Sequence, residues 1–424
     1  TTGHLNVIAG RTVALATGTA VSTTGAGGVQ ILAVAGNLTM APDAVVSSVN
    51  GDILLSAGDD LGDQLTLGAV TATNANVGLV TPGSVLDADT AGSALDGSTV
   101  DVAARGLIIL AGLGAGLLDG NSLSATANAI ETRVDTLAAR IRGSNGLNLV
   151  EADHLVIGDV NSLVDTQQGL QVYRVLPAGD VEAVTVLPHS DVVTESANGA
   201  NGNIVIRTLN GSITLREGTA TVDLNSDAAV VAHGSGNILL QAAGAGAEII
   251  ADTNADIQST RGHITLNAAE SIRLGAAVNV ATTVSGSLDI RATAGSILMA
   301  PDATLDTANG DIRIVSGNDA LDQVTIGVIT ATTANVAITA SGSVMDSDDV
   351  SAADDQTIDI VALGLRVDAG KGLGLLAGNS LTLSVNAIET QISVLSAVVR
   401  GSDGVNVLDA DALQIGDIVS LVDP

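Results

Sequence analysis

The stretch Gly51–Leu55 reads GDILL, and the stretch Gly310–Ile314 reads GDIRI. Each begins with a Gly-Asp turn pair and continues with aliphatic residues at every second position, a pattern typical of a short strand with one buried face. The same pattern recurs as GNLTM at Gly36, GNIVI at Gly202, GSITL at Gly211, GNILL at Gly236, GHITL at Gly262 and GSLDI at Gly286.

The alternation also predicts which side chains enter the core, because successive strand residues point to opposite faces. The inward set comprises Ile53, Leu55, Ile204, Ile206, Ile312 and Ile314. The set on the outer side comprises Asp52, Leu54, Val205 and Arg313.

Short strands at this spacing predict an all-β fold built as a parallel β-helix, or β-solenoid. Turn markers return after roughly 8 to 17 residues and similar phases after roughly two dozen, which favours coils of two or three strands. A single coil cannot bury its aliphatic face, whereas stacked coils enclose a continuous interior. We therefore predict an elongated rod, on the order of 85 Å long for some 18 coils.

A long internal repeat organises the chain. MAPDA occurs at Met40 and again 259 residues later, and NAIET occurs at Asn128 and again 258 residues later. The single deletion falls between Thr90 and Thr99, so we predict a surface loop there. The repeat divides the chain into a partial unit (1–165), a module junction (166–200) and the remainder of a complete unit (201–424), whose full span is about 166–423. This register predicts a section of a longer protein.

Composition limits the possible functions. The net charge is -31, from 46 acidic and 15 basic residues, and the chain has no Cys, Trp or Phe and a single Tyr, Tyr173. Such acidity argues against a nucleic-acid partner, and the absence of Cys excludes disulfides and thiolate metal sites. The longest uncharged apolar stretch, Leu107 to Leu118, is too short for a transmembrane helix, so we predict no transmembrane segment.

One segment is ambiguous in secondary structure. In residues 123–142, Ile130, Val134, Leu137 and Ile141 lie at helical spacing, but the second copy, Ile388 to Val399, is richer in β-branched residues. We favour strands over a helix here.

The Gly-Asn/Asp/Ser-Ile/Leu-x-Leu repeats, with Ala, Thr and Asp between them, resemble the β-solenoid shafts of filamentous-haemagglutinin-type adhesins and of the giant repeat proteins of environmental bacteria. The resemblance covers nearly the whole chain apart from the junction. It implies a right-handed parallel β-helix, export to the cell surface or the medium, and a role in adhesion, biofilm or extracellular fibres. It implies no particular receptor, and the partners that we expect are surface glycans or other cells.

Clusters of Asp are the candidate metal ligands, because calcium takes six to eight oxygen ligands from carboxylates and carbonyls. The alternative is that Asp serves the turns themselves, since its side chain accepts hydrogen bonds from nearby backbone. Related positions are Asp87, Asp89, Asp354 and Asp355, together with Asn318, which is the second-copy match of Asp59. The predicted calcium ligands are Asp59, Asp60, Asp63, Asp319, Asp322, Asp346, Asp348 and Asp349.

No catalytic motif stands out, and we assign no catalytic residue and no enzymatic activity. The five His residues are dispersed, and the chain has no HExxH or GxSxG motif. Two alternatives stay open: a secreted polysaccharide-acting β-helix enzyme, and a calcium-dependent ice-binding adhesin segment based on Thr71, Thr73, Thr330 and Thr332.

The sequence therefore predicts a structural or adhesive shaft at the bacterial surface or outside the cell. Strands left open at the two ends present unpaired backbone groups, so we expect copies to associate head to tail into filaments.

Overall fold

The computed structural model describes residues 3–89, 100–116, 118, 129–163, 167–195, 202–219, 228–348, 357–374 and 387–418. Within these ranges the chain forms β-strands and no helix, and nearly all strands pair in parallel. The predicted all-β parallel β-helix is confirmed. The described ranges also offer no helix long and apolar enough to cross a membrane.

The chain forms two compact units. Unit 1 comprises Thr1–Leu209 and Arg216–Gly236, and unit 2 comprises Asn210–Leu215 and Asn237–Pro424. These units follow contacts in space, whereas the repeat boundaries given above follow the sequence.

The strands of unit 1 are β1 (Leu5–Ala9), β2 (Val13–Leu15), β3 (Ala20–Thr23), β4 (Val29–Ala33), β5 (Leu38–Met40), β6 (Val45–Ser48), β7 (Ile53–Ala57), β8 (Leu65–Leu67), β9 (Ala69–Thr81), β10 (Ser84–Asp87), β11 (Val102–Ala111), β12 (Gly114–Ala115), β13 (Ile130–Ile141), β14 (Gly146–Glu151), β15 (Leu155–Ile157), β16 (Leu170–Val175), β17 (Val181–Val186), β18 (Val192–Thr194), β19 (Ile204–Thr208) and β21 (Val230–Ala232).

The strands of unit 2 are β20 (Ile213–Leu215), β22 (Ile238–Ala242), β23 (Ile249–Ala251), β24 (Ile257–Ser259), β25 (Ile264–Ala268), β26 (Ile272–Leu274), β27 (Asn279–Thr282), β28 (Leu288–Ala292), β29 (Ile297–Met299), β30 (Thr304–Thr307), β31 (Ile312–Ser316), β32 (Val324–Ile326), β33 (Val328–Ala340), β34 (Val344–Asp346), β35 (Ile360–Ala369), β36 (Gly372–Leu373), β37 (Ile388–Val399), β38 (Gly404–Val405), β39 (Val407–Asp409) and β40 (Gln414–Ile415).

Parallel pairing stacks like residues on like residues. In unit 1, β1, β4, β7 and β9 pair in that order, and in unit 2, β25, β28, β31 and β33 do the same. Each step along either ladder advances 24 residues, which is one coil. The predicted inward residues are all buried, and each such Ile or Leu contributes about 1.5–3 kcal/mol relative to an exposed side chain.

The glycine that opens each strand signature is required by the stacking of coils. A Cβ at Gly51 would lie 2.3 Å from the carbonyl oxygen of Gly27, and one at Gly310 would lie 1.7 Å from that of Gly286. Both distances are far inside van der Waals contact, so the turn column accepts only glycine at these two positions.

Residues 130–141 of the ambiguous segment form strand β13, as favoured from the sequence. Ile130, Leu137 and Ile141 are fully buried, so the helical spacing of these apolar residues arises from two inward-facing runs in one long strand. Residues 123–128 lie outside the described residues.

The predicted junction contains the antiparallel hairpin β16–β17, which stands outside the parallel ladders. The chain rejoins the ladder at β18, which pairs with β13 and β21. Residues 166 and 196–200 of the junction lie outside the described residues.

The hairpin covers part of the outer face of unit 1. Leu170 and Val172 pack against Leu54, and Asp52 accepts a hydrogen bond from the Gln171 backbone. Leu54 and Asp52 are consequently buried although they point away from the coil interior, whereas Val205 and Arg313 are partly exposed. The sequence pattern predicted that Leu54 points outward, but it did not predict that the hairpin would bury this side chain.

Candidate functional site

The first predicted calcium cluster, Asp59, Asp60 and Asp63, lies in the exposed turn after β7. The Asp63 Oδ2 atom accepts hydrogen bonds from the Asp59 and Asp60 backbone N–H groups at 3.0 and 3.3 Å. The Asp60 Oδ1 atom accepts one from the Gly62 N–H at 2.8 Å. Two of the three carboxylates therefore organise their own turn.

Unit 2 repeats this turn. The Asp322 Oδ2 atom accepts from the Asn318 and Asp319 backbones at 2.9 and 3.0 Å, and the Asp319 Oδ1 atom accepts from Leu321 at 2.7 Å. The turn follows Gly317, whose φ is 67° and whose added Cβ would lie 1.9 Å from the Asp322 Cβ. A left-handed glycine and a capping carboxylate thus form one turn motif, used in both units.

The turn motif can still hold a cation in unit 1. One oxygen each from Asp59, Asp60 and Asp63 lie within 4.8 Å of one another in an exposed position. Exposure keeps water available as further ligand, and calcium accepts water readily. The hydrogen bonds account for Asp60 and Asp63 without an ion, while Asp59 has a turn role only through its backbone.

A second group of carboxylates is buried and was only partly predicted. Asp87 ends β10, Asp101 precedes β11, and Glu131 lies in β13, and one oxygen from each lies within 4.8 Å of the others. The Glu131 N–H donates to the Asp101 Oδ2 at 3.0 Å. Asp87 and Asp101 are 6% and 4% exposed, beside a surface pocket of about 190 Å³ that Asp89 also lines. We call these three residues the unit 1 triad.

Unit 2 contains the same arrangement at the equivalent positions Asp346, Asp359 and Glu389. The three side chains are all buried, with oxygens within 4.8 Å of one another. The Glu389 N–H donates to the Asp359 Oδ2 at 2.9 Å, which reproduces the contact between Glu131 and Asp101. We call these residues the unit 2 triad.

The triads retain protons. Burial, together with neighbouring carboxylates, raises the pKa of Asp101 to about 10 and the pKa of Asp359 to about 9. Burial also raises the pKa of Asp87 to about 6 and the pKa of Glu131 to about 7. At neutral pH the middle aspartate of each triad is therefore protonated, and it can donate a hydrogen bond that a carboxylate cannot.

Protons and cations would compete for the same oxygens. Carboxylate oxygens are the ligands that calcium prefers, but they bind it in the ionised form. Each triad can thus share protons at neutral and acidic pH, and its capacity for a divalent cation grows as the pH rises.

A further buried carboxylate, Glu151, is hydrogen-bonded to β13, the strand that carries Glu131 of the unit 1 triad. It accepts hydrogen bonds from the Thr132 hydroxyl at 2.8 Å and from the Val134 backbone at 3.0 Å. Burial raises its pKa to about 7. Asp409 makes the same two contacts with Thr390 and Ile392 in unit 2, so this position also belongs to the repeat.

The sequence predicted some of these residues and missed others. Asp346 belongs to the unit 2 triad, and Asp348 donates its backbone N–H to it at 3.0 Å. Asp349 lies outside the described residues, as do Asp354 and Asp355. The missed members are Asp101, Glu131, Asp359 and Glu389.

The missed residues could have been found by comparing the two copies of the repeat. Asp101 stands in VDV and Asp359 in IDI, while Glu131 and Glu389 stand in identical AIET segments. An acidic residue placed between aliphatic residues in a strand is costly unless partnered, so its retention in both copies indicates a shared structural role.

The histidines take part in local hydrogen bonds. His189 and His233 contact the carbonyl oxygens of Leu187 and Thr194 through Nδ1, and His263 contacts the Ser287 hydroxyl. In the part of the chain that the structure describes, the groups of three or more metal-ligand side chains contain carboxylates and no histidine.

Comparison of the chain with protein-family models, with curated proteins and with solved structures found no match.

Proposed function

We propose that the chain is a structural or adhesive shaft of a bacterial surface or extracellular fibre protein. The observation that carries the proposal is the in-register parallel ladder within each unit, repeated with the same turns and the same buried carboxylates. Within each unit such a stack is a regular scaffold of repeated coils, in which each coil contacts its neighbours. Catalysis would instead require reactive groups that converge on one point. Surface glycans or other cells are the partners we propose for an adhesive role.

This proposal includes the growth of a fibre by strand pairing between the ends of successive copies. Val405, Leu408 and Ile415 in the final described strands of unit 2 are 47%, 46% and 73% exposed. Their equivalents in unit 1, Leu147, Val150 and Ile157, are buried.

The difference has a direct cause. In unit 1, β14 pairs with the following strand β19, and Ile157 accepts a backbone hydrogen bond from Arg216. The corresponding strands β38, β39 and β40 have pairing partners on their preceding side among the described residues. Where an apolar strand has no partner on one side, its backbone groups are a template for another strand.

Strand β1 pairs with β4, whereas its equivalent in unit 2, β25, pairs with both β22 and β28. We propose that the edge at β38–β40 of one copy pairs with the edge at β1 of the next. The charge of -31 opposes lateral packing, so association is directed to the edges.

Electron microscopy of the purified chain, over a range of concentrations, tests this proposal. We expect end-to-end assemblies that shorten in Ile415→Lys, because a charge at the edge opposes pairing. Leu61→Lys, at a similarly exposed turn position, is the control and should leave them unchanged. Particles that stay monomeric at high concentration, or equal lengths for both variants, would contradict edge pairing.

An enzyme acting on polysaccharides is the rival function, and the unit 1 triad is the observation that favours it. Paired carboxyl groups with separated pKa values are the machinery of glycoside hydrolysis. The occurrence of the same triad in a more buried form in unit 2 argues for a structural role instead. Hydrolysis of a polyuronate by the chain, lost in Asp101→Asn and retained in Asp359→Asn, would establish the enzyme and overturn the shaft.

A further inference from the structure

The outer edge of strand β16 is satisfied by side chains of unit 1. The Asp52 Oδ2 atom accepts a hydrogen bond from the Gln171 N–H at 2.8 Å. The Asn6 amide donates to the Tyr173 carbonyl oxygen and accepts from the Val175 N–H, both at 2.7 Å. Residues 171, 173 and 175 of β16 therefore direct these backbone groups away from β17.

Strand β17 has a corresponding outer edge. In an antiparallel pair, residues directly opposite each other either exchange hydrogen bonds or both turn their backbone groups outward. The residues of β17 that lie opposite 171, 173 and 175 are Thr185, Ala183 and Val181. These three residues consequently point their N–H and C=O groups away from the hairpin. Among the described residues β17 pairs with β16 alone, and all three residues are exposed.

The composition of β17 does little to protect this edge. Edge strands are commonly shielded by Lys, by Pro or by a bulge. Strand β17 reads VEAVTV, with one charged residue, no Pro and mostly β-branched side chains, which favour extended backbone. Its outer edge is therefore a suitable template for a further strand.

A pocket of about 280 Å³ lies on the outer side of β17, near the end of the strand. Leu170 of β16 lies over Gly78, and the pocket begins two residues further along β9, at Val80. Val186 of β17 packs against the same buried cluster as Leu110, which also lines the pocket. The lining includes Val80, Pro82, Leu110, Arg140, Arg142 and His189.

One end of the pocket carries a local excess of positive charge. Arg140 and Arg142 share a single carboxylate, because Glu195 binds Arg140 and lies 3.7 Å from Arg142. The Arg142 side chain is 64% exposed. None of the described residues that line the pocket is acidic. Two guanidinium groups against one carboxylate thus leave the Arg142 end positive.

The second copy of the repeat lacks this excess. Arg400, the counterpart of Arg142, is bound by Asp368 at 2.9 Å. The residue of unit 1 that corresponds to Asp368 is Leu110, and the counterpart of Arg140 is Val398. The position that neutralises Arg400 in unit 2 is therefore apolar in unit 1, where it forms a wall of the pocket.

The other end of the pocket lies near the acidic turn motif of unit 1. The Thr81 hydroxyl donates to the Asp63 carbonyl oxygen at 2.8 Å, so this turn lies beside Pro82. Arg142 is two coils from Pro82, about 9–10 Å. Physiological salt screens exposed charges over about 8 Å, so each end acts largely on its own surroundings. A carboxylate would therefore bind at the Arg142 end and be repelled at the Pro82 end.

We propose that the outer edge of β17 and this pocket form a docking site for an extended segment of another polypeptide, which adds antiparallel to β17. The segment pairs its backbone with residues 181, 183 and 185. An aliphatic side chain enters the pocket between Val80 and Leu110, and an acidic residue at the N-terminal end of the segment binds Arg142. Backbone pairing supplies affinity, while the pocket and the charge-assisted bond supply specificity.

The test uses the full chain and a fluorescently labelled, N-acetylated heptapeptide, Glu-Val-Thr-Val-Thr-Val-Thr. In antiparallel pairing its Val side chains face unit 1 and its Glu lies next to Arg142. One comparison peptide has Gln in place of Glu, and another is N-methylated at the three Thr residues, which removes its donors to β17. By fluorescence anisotropy we expect the Glu peptide to bind at least fivefold more tightly than the Gln peptide, and the N-methylated peptide not to bind.

Variants of β17 test the backbone pairing. Ala183→Pro removes an N–H that points away from β16, so it should leave the hairpin intact and weaken binding of the Glu peptide at least tenfold. Ala183→Thr keeps the N–H and is the matched control, with binding within twofold of the native chain. Quenching of Tyr173 fluorescence by acrylamide checks that the hairpin stays docked in both variants.

Variants of the arginines test the charged end. Arg142→Gln should weaken binding of the Glu peptide at least fivefold and leave that of the Gln peptide unchanged. Arg133→Gln, at another exposed position of unit 1, is the control. Ile415→Lys, which opposes edge pairing, should bind the peptide as the native chain does, so the outcome is separate from fibre growth.

Three results would overturn the proposal. The first is no binding of the Glu peptide by millimolar chain. The second is equal binding by the native chain and by Ala183→Pro with the hairpin still docked. The third is binding that depends on Arg142 but survives N-methylation of the peptide, which would assign the pocket to a small carboxylate ligand.

Discussion

Leu54 and Arg313 occupy equivalent positions in the two units, and the side chain at each position matches its surroundings. Leu54 is buried under the hairpin, whereas the Arg313 side chain is 37% exposed and paired with Asp289. Strand alternation gives the direction of both side chains, but it cannot show that a segment more than a hundred residues later packs over one of them. The apolar identity of Leu54, Val80 and Ile108 was the available sign of that cover.

Leu54→Arg should release the hairpin, because a charge would be buried against Leu170 and Val172. Tyr173 is the single Tyr of the chain and lies on the hairpin, 4.5 Å from the His4 ring, so its fluorescence reports docking. We expect greater quenching of Tyr173 by acrylamide and a loss of about 2–4 kcal/mol in stability. Arg313→Leu is the matched control, and unchanged quenching in Leu54→Arg would contradict the packing.

The triads should make stability depend on pH. The pKa of Asp101 is raised from its ordinary value to about 10 by burial, so the folded chain holds this proton more firmly than the unfolded chain does. Its contribution to the free energy of unfolding is therefore full near pH 4 and is lost as the pH rises toward 10.

Asp101→Asn should flatten this dependence, since an amide cannot ionise. We expect the variant to melt at a similar temperature to the native chain at pH 5 and at a higher temperature at pH 9. Asp135→Asn, an exposed position on β13, serves as the control. Parallel melting curves for Asp101→Asn and the native chain across this range would show that the triad is not protonated.

In the turn motif after β7, different carboxylates serve the turn backbone and the candidate cation site. Asp63 accepts two backbone hydrogen bonds, whereas Asp59 contributes its own N–H and leaves its carboxylate for other use. In the absence of calcium, Asp63→Ala should cost about 1–2 kcal/mol. The sequence predicted the acidic turn, and the structure shows that the Asp63 carboxylate shapes it.

The calcium hypothesis makes a distinct prediction for Asp59→Ala. Binding to the folded state alone raises the melting temperature by mass action, so the native chain should melt higher in millimolar calcium than in chelator. Asp59→Ala should remove that difference while keeping the turn. Equal melting temperatures of the native chain in calcium and in chelator would show that the cluster is a hydrogen-bonded turn that binds no calcium.

Strand β13 shows the limit of periodicity as a guide. Its apolar residues match helical spacing, yet parallel pairing with β11 on one side and with β14, β15 and β18 on the other fixes it as a strand. The β-branched residues of the second copy gave the correct assignment because they favour extended backbone. A single copy of the segment would have left helix and strand equally supported.

For the whole molecule, the repeat predicted the fold class and the equivalence of sites, because coil stacking depends on local alternation and turn glycines. It could not place Asp101 beside Asp87 or Glu131, since those contacts depend on how many residues each coil contains. The coil length changes from 24 residues between Val7 and Ile31 to 30 residues between Leu79 and Ile109. Such changes shift which acidic residues become neighbours.

The central claim is a parallel stack in which outward residues one coil apart are direct neighbours, and disulfide trapping tests it in this Cys-free chain. Thr265 and Asp289 are paired in register on β25 and β28, so a variant with Thr265→Cys and Asp289→Cys should form an intramolecular disulfide on mild oxidation. Thr265→Cys with Arg313→Cys places the thiols two coils apart, about 9–10 Å, which is too far to bridge. Efficient bridging of the first pair and none of the second is the predicted result; bridging of the second pair, or of neither, would contradict the coil register.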